Sequence, residues 1–311
     1  MEKVLEILQE KCELVQVENE EQWHEERKKA IGGSEIGAIL GYNNYKSPYA
    51  VYAEKLGLSE GFEGNIATEV GNVLEPYIRK KFPDLVKMKD QIEVKVYELP
   101  YILKSKEWSF ASANLDGVIE FDGEFSVLEI KTASEMSAGK WEDDEIPDSY
   151  YFQVQWYLSI TGFKKAYICY LIGNRKMDYK IIPRNEDVIA AMMSYAKSFW
   201  ENHVLQKQPP EFSWNDTDAI KELYPKQNEG EVIELDNETD IVAKWRELED
   251  EKKRIEREIE ECKNKIKGSM GTAETARVGI DKITWKLQKK DGFYVKPSET
   301  RVLRYSAGKI K

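Results

Sequence analysis

Histidine is almost missing from this chain. Its 311 residues hold only His24 and His203, which argues against a multi-histidine metal centre and against a triad with an imidazole base. Cysteine is scarce too. Cys12, Cys169 and Cys262 lie far apart with no CxxC spacing, so neither a disulfide framework nor a sequence-local zinc or iron–sulfur site is expected, only isolated thiols. Any metal here would be held by oxygen. No stretch approaches the roughly 18 consecutive apolar residues of a membrane helix. The opening "MEKVLEILQEKCELVQVENEEQWHEE" is too acidic for a secretory signal, and the protein is read as cytoplasmic. Net positive charge is lacking as well. A formal charge of -11 argues against indiscriminate nucleic-acid binding, which rests on neutralising phosphates with Lys and Arg.

That average hides an asymmetry. Residues 282–311 carry nine Lys or Arg against Asp291 and Glu299, a basic end on an acidic body. On charge alone this end is either a solvated tail or a contact for a polyanion. With 41% hydrophobic residues the chain can bury a sizeable core.

The pattern along the chain is mixed α and β. Helical stretches are expected over 1–12, 20–30, a short run after Ser34 as N-cap, a run starting at Pro48, "TEVGNVLEPYIRKKF", "SYYFQVQWYLSITG" ending at Gly162, and 187–205. Strands are expected over 91–98, 101–104, 108–111, 115–121 and 125–131, with a further pair turning at "GNR". A Pro-, Asn- and Asp-rich segment begins near 206. Beyond it, Ile241, Trp245, Leu248, Ile255, Ile259, Cys262 and Ile266 follow steps of four and three, broken by Lys252. This is a long amphipathic helix or short coiled coil, packing on its own body or on a partner helix. Two more strands are expected around "KKDG". The organisation is therefore a core over 1–205, a linker or meander over 206–238, and a C-terminal helix plus basic strands over 239–311.

One stretch puts charge where apolar residues belong. In "LDGVIEFDGEFSVLEIK" (115–131) the Asp-Gly pair signals a type I′ hairpin turn. With Asp122 and Gly123 as the loop, paired positions place Asp116 opposite Glu129, while Ile119, Phe121, Leu128 and Ile130 share the other face. Lys131 lies two residues beyond Glu129, on the same side. Opposed carboxylates repel across a ladder, and a divalent cation would offset that repulsion, with the carbonyl of Ile130 as a further donor. A protonated Lys131 is no ligand, but it can orient water and stabilise charge on a phosphate. The alternative is an exposed hairpin face with one salt bridge.

An acid followed by acid-x-lysine at a strand end resembles the core of the PD-(D/E)xK nuclease superfamily, and "SANLDGVIEFDGEFSVLEIKT" is similar to its λ-exonuclease-like branch. "RKKAIGGSEIGAILGYNNYKSPYAVYAEKLG" resembles the opening motif of the YqaJ viral recombinase family of phage-type exonucleases. "GNVLEPYIRKKF" and "YYFQVQWYLSITG" resemble its acidic and glutamine-bearing helices. These four motifs span residues 27–162 in the family's order.

The resemblance implies an α/β fold: a restriction-endonuclease-like core with a central mixed sheet flanked by helices, here with a C-terminal coiled-coil and β-hairpin extension. It implies Asp116 and Glu129 as metal ligands with the Ile130 carbonyl, and Lys131 positioning the attacking water. Glu75 would complete the acidic site directly or through water, and Gln153 would hold the nucleophile side or the scissile phosphate. Arg27 and Ser34 match positions that bind a terminal 5′-phosphate, with Lys46 as a further phosphate contact. The cofactor implied is Mg²⁺, with Mn²⁺ able to substitute. The partners implied are double-stranded DNA ends, a single-strand annealing protein and two further copies in a homotrimeric ring, with no membrane. The activity implied is 5′-to-3′ digestion of linear duplex leaving 3′ single strands. An endonuclease, or a non-catalytic DNA-binding scaffold, are the other readings.

Overall fold

The computed structural model describes residues 1–59, 64–142 and 145–287. The chain divides into two units, Met1–Tyr224 and Pro225–Lys311.

The first unit opens with α1 (Glu2–Lys11), β1 (Cys12–Val15), α2 (Glu20–Lys28), α3 (Gly33–Ile39) and α4 (Pro48–Lys55). α5 (Ile66–Asp90) leads into β2 (Lys95–Tyr97), β3 (Ile102–Ser105), β4 (Ser112–Ala113), β5 (Gly117–Phe121) and β6 (Glu124–Ala133). Then come α6 (Asp148–Thr161), β7 (Lys165–Ile172), β8 (Lys176–Pro183), α7 (Glu186–Phe199) and α8 (Thr217–Leu223). Local chemistry sets many of these boundaries. Ser47 and Asn65 accept backbone N–H groups at the starts of α4 and α5, Pro48 takes the first helical position of α4, and Gly162 ends α6 at φ 74°.

The central sheet has the order β2-β5-β6-β7-β8. It is mixed: β6 and β7 run parallel, joined across α6, and the other neighbours are antiparallel. Strand periodicity sends Val118, Val127, Ala166, Ile168 and Tyr170 into a core with Val154, Trp156 and Leu158 of α6. The opposite face sends Ile119, Leu128, Ile130, Tyr167 and Cys169 against Ile78, Phe82 and Val86 of α5. A sheet covered on both faces needs apolar residues at nearly every position of its middle strands. β6 is buried from Phe125 to Ile130, so Glu129 stands out.

A second sheet, β1-β3-β4, is antiparallel. The sequence reading expected a strand over 108–111, and the structure corrects it. Trp108 N–H is taken by the Ser105 hydroxyl and Ala111 N–H by the Trp108 carbonyl, so the segment closes as a turn. Only Ala111 touches a ladder, through a single bridge to Ile31. The strand expected from 91 begins at Lys95, because α5 runs on to Asp90 and ends at Gln91 in the left-handed region. The helix expected over 187–205 is α-helical to Phe199 and continues as a π-turn from Trp200 to Leu205.

Residues 206–224 belong with the first unit. Asp216 is fully buried and accepts from the Ser47 hydroxyl and from the N–H and hydroxyl of Ser213, tying this segment to the start of α4. In the second unit α9 (Thr239–Met270) is followed by β9 (Thr275–Val278) and β10 (Asp281–Thr284), an antiparallel hairpin turning at Gly279. The strands expected around "KKDG", and most of the basic end, lie outside the described residues.

Candidate active site

The hairpin adopts the expected register. Asp122 and Gly123 both take positive φ, 51° and 75°, Phe121 pairs with Glu124, and the ladder runs to Gly117 opposite Leu128. One step further brings Asp116 beside Glu129, and its carboxylate accepts the N–H of Ile130 at 2.7 Å. The face carrying Glu129 is covered by α6, so the alternative of an exposed hairpin face does not hold: Glu129 is 1% exposed.

Two donors converge on that buried carboxylate. Lys131 Nζ lies 2.6 Å from Glu129 Oε1 and 4.7 Å from the centre of the Tyr150 ring. Gln153 Nε2 donates to the same Oε1 at 2.7 Å and to the Tyr157 hydroxyl at 2.9 Å. Tyr150, Gln153 and Tyr157 follow one another at helical spacing on α6 and present one face to the strand. The other oxygen of Glu129, Oε2, is buried without a hydrogen-bond partner.

The electrostatics follow from this crowding. Burial and the adjacent Glu129 push Asp116 up to about 7. Burial also raises Glu129, against the pull of Lys131. For Lys131 burial alone would favour the neutral amine, but Glu129 and Asp116 outweigh it and hold the ammonium well above its ordinary value. Lys131 therefore keeps its proton and acts as a donor rather than a base. Burial, then the charges of Glu129 and Asp116, raise Tyr157 far above the usual phenol, so its hydroxyl also stays protonated.

Glu75 approaches from α5. Arg79, one turn on, binds Glu75 and reaches Glu98 at 2.9 Å. Burial and then Asp116 raise the Glu75 carboxyl, which puts it within electrostatic reach of the pair. Among the described residues no three His, Cys, Asp or Glu side chains group as a metal cage. The donors brought together are the carboxylates of Asp116 and Glu129, with Glu75 engaged by Arg79. That set, all oxygen and carrying an orphaned buried Oε2, fits a hard cation that keeps several waters, as Mg²⁺ does.

The opening motif meets the site through a glycine. A Cβ at Gly33 would stand 2.3 Å from Tyr157 Cε1, so only glycine lets the start of α3 lie against that ring. Gly33 thus abuts the Tyr157–Gln153–Glu129 chain. Arg27 Nη2 donates to the Ser34 hydroxyl at 3.1 Å, and the guanidinium lies 4.4 Å from the centre of the Trp23 ring. Ser34 is not the helix cap: Gly32 is, and Glu35 reaches back to accept its N–H at 2.7 Å. Glu35 can do so because it is buried as an ion. Lys55 Nζ donates to it and to the carbonyls of Arg27 and Ala30. Burial opposes the Glu35 charge, yet Lys55, Lys46 and Arg27 together hold that carboxyl down to about 2. Lys46 itself is paired with Glu54 at 2.5 Å. Ser112 is buried, its hydroxyl on the Ile31 carbonyl and its own carbonyl on Trp156 Nε1, a structural role.

Asp116, Glu129, Lys131 and Gln153 are thus brought into one cluster, Glu75 stands at its margin, and Arg27 and Ser34 form a pair of their own. Sequence reasoning did not single out Tyr150, Tyr157, Arg79 or the Glu35–Lys55 pair. Helical spacing from Gln153 and from Glu75 was the available signal for the first three.

The chain matches the YqaJ-like viral recombinase domain over residues 22–164. It is 32% identical over 272 residues to the uncharacterized protein YqaJ of Bacillus subtilis (strain 168), covering 86% of this chain and 83% of that protein. It belongs to the YqaJ-like viral recombinase family. The matched span of this YqaJ-like chain runs from the residue before Trp23 to the residue after Phe163, and so holds every residue of the cluster just described. Among solved structures it is similar to an alkaline exonuclease, LHK-Exo, from Laribacter hongkongensis, at 16% identity and a TM-score of 0.48, covering 60% of this chain and 94% of that one. A phage related exonuclease from Haemophilus somnus 129PT is similar at 16% identity and a TM-score of 0.40, covering 57% and 96%. Among the described residues no helix is long and apolar enough to cross a membrane.

Proposed function

We propose that this YqaJ-like protein is a Mg²⁺-dependent nuclease of the PD-(D/E)xK type that digests linear double-stranded DNA from the 5′ end and leaves a 3′ single strand for recombination. The observation that supports it most is the Asp116–Glu129–Lys131 cluster: two carboxylates and an ammonium at a buried strand end, with Glu129 Oε2 left without a partner. Family membership favours a recombination role.

In this reading Asp116, Glu129 and the Ile130 carbonyl hold the metal, with Glu75 completing the acidic site directly or through water. A bound Mg²⁺ supplies charge neutralisation for the phosphate and lowers the cost of ionising a water. The chain's own residues do the rest. Lys131, tethered to Glu129 Oε1 and unable to lose its proton near neutrality, donates toward the attacking water and the charge that grows on the phosphate oxygens. Gln153 fixes the Glu129 rotamer, and Tyr157 fixes Gln153. Arg27 and Ser34 bind the terminal 5′-phosphate, and Lys46 joins them if the substrate displaces Glu54. A homotrimeric ring threading DNA, and an annealing protein that coats the product strand, complete the proposal.

The test is digestion of linear duplex labelled separately at each 5′ and 3′ end, with and without a 5′-phosphate, in Mg²⁺ and in EDTA. Metal-dependent loss of the 5′-terminated strand, faster with the phosphate, supports the proposal. Cleavage of circular duplex would point to an endonuclease, and DNA binding without cleavage in any divalent metal to a scaffold.

A further inference from the structure

The second unit carries a surface that the proposed chemistry does not use. α9 is 32 residues long, about 48 Å at helical rise. Along one side run Ile241, Leu248, Ile255, Ile259, Cys262 and Ile266. Each isoleucine and the leucine is 40% exposed or more, and Cys262 is exposed. A row of branched aliphatic side chains in water is costly, and their alternating spacing is that of a coiled-coil seam.

Taking Ile259 and Ile266 as a positions and Leu248 and Ile255 as d positions sets the flanks. The g positions are then Lys244, Glu251, Glu258 and Lys265, and the e positions include Glu249, Glu256 and Lys263. These charges discriminate between the two ways a second copy could lie. In an antiparallel pair the flanks meet g to g and e to e, which sets Lys244 against Lys265, Glu251 against Glu258 and Glu249 against Glu256. In this register, the one that overlaps the whole seam, all three contacts between charges are repulsive. In a parallel pair g meets the next e, which sets Lys244 against Glu249 and Glu258 against Lys263, both attractive. The one like pair, Glu251 with Glu256, flanks the layer of Lys252. A single lysine in the seam weakens the association but fixes its register.

We infer that α9 is a self-association surface on which a second copy of this chain binds in parallel and in register. The pairing goes beyond the nuclease proposal, does not depend on it, and uses a different surface from the site in the first unit. In register, each d residue meets its own counterpart, so Cys262 of one chain faces Cys262 of the other. Cys12 and Cys169 are buried, and the exposed thiol becomes a built-in reporter.

The experiment is light scattering of the full-length protein at tens of micromolar, with disulfide trapping under mild oxidation. The inference expects a mass that Ile255→Glu with Ile259→Glu reduces, to one chain or, where the proposed trimeric ring holds by itself, to three. These side chains are exposed, so the double variant keeps its fold, checked by unchanged circular dichroism. It also expects a disulfide-linked dimer on oxidation, at least ten-fold less of it in the double variant and none in Cys262→Ser, which keeps the wild-type mass when reduced. A single-chain mass for the wild type would overturn the inference. An assembly indifferent to the double variant, or one that yields no Cys262 link, would overturn it equally, the latter by pointing to an antiparallel partner.

Discussion

Gln153 Nε2 donates to Glu129 Oε1 at 2.7 Å while Lys131 Nζ approaches the same oxygen at 2.6 Å. One oxygen of a buried carboxylate is thereby saturated and the other, Oε2, is left bare. A carboxylate so held is fixed in orientation, with the Asp116 carboxyl as its other close neighbour.

Asp116→Asn and Glu129→Gln should each lower duplex cleavage on the order of 10³-fold or more while leaving DNA binding within a few-fold. Steady-state cleavage alongside a binding isotherm checks this. Equal loss of both would mean that the acids hold the fold, not the chemistry.

The pH dependence of the metal-free protein has a definite sign. Asp116 is raised from its ordinary 3.8 to about 7, so the folded state holds a proton that the unfolded chain has released. Its contribution is full below about pH 4 and is lost as the pH rises through about 7. Asp116→Asn removes that loss. Its unfolding free energy should gain on wild type across this window by on the order of a few kcal/mol, read as a growing difference in melting temperature, and Mg²⁺ should stabilise the wild type above pH 7 but not the variant. Thermal scans from pH 4 to 8 in EDTA read it directly.

Gln153→Ala removes the donor that the Tyr157 hydroxyl and Glu129 share. Activity should fall about 10- to 100-fold, as it does when groups that orient metal ligands are removed. Stability should fall by about 1–3 kcal/mol for the buried groups left unpaired. Chemical denaturation and cleavage rates measure the two effects separately.

Gly33→Ala sets a methyl group 2.3 Å from Tyr157 Cε1 and should cost about 1–3 kcal/mol through forced displacement. Glu35→Gln should cost more, about 3–5 kcal/mol, because it strands the buried Lys55 ammonium. The Glu35 contribution is present above pH 4.5 and is lost as the pH falls toward about 2, so the gap between wild type and this variant should narrow in acid. Denaturant midpoints at pH 7 and pH 3 check both.

The hairpin was legible because Asp-Gly at 122–123 prescribes its own backbone, and a two-residue loop then dictates every pairing back to Asp116 and Glu129. Glu129 and Lys131 were legible because charge in apolar surroundings breaks a pattern, whereas Gln153 followed only from the resemblance of its helix to the family's glutamine-bearing one. Tyr157 and Tyr150 were not, since an aromatic on a buried helix face looks like core until the strand beneath it is known to carry charge. Arg79 read as one cation in a charged helix. The segment 108–111 has the apolar content of a strand, but its backbone hydrogen bonds close on Ser105 and Trp108. Ser34 has the residue type of a cap, yet Glu35 does the capping from three positions on, at Gly32. Long-range contacts of this kind leave little local trace.

The central claim is that Asp116 and Glu129 form a metal-dependent hydrolytic site. The most direct test is the rate of 5′-phosphorylated duplex loss under single-turnover conditions for wild type and Asp116→Asn, each with Mg²⁺ and with EDTA. Cleavage is expected only for wild type with Mg²⁺. Cleavage by wild type in EDTA, or by the variant at the wild-type rate, would contradict it.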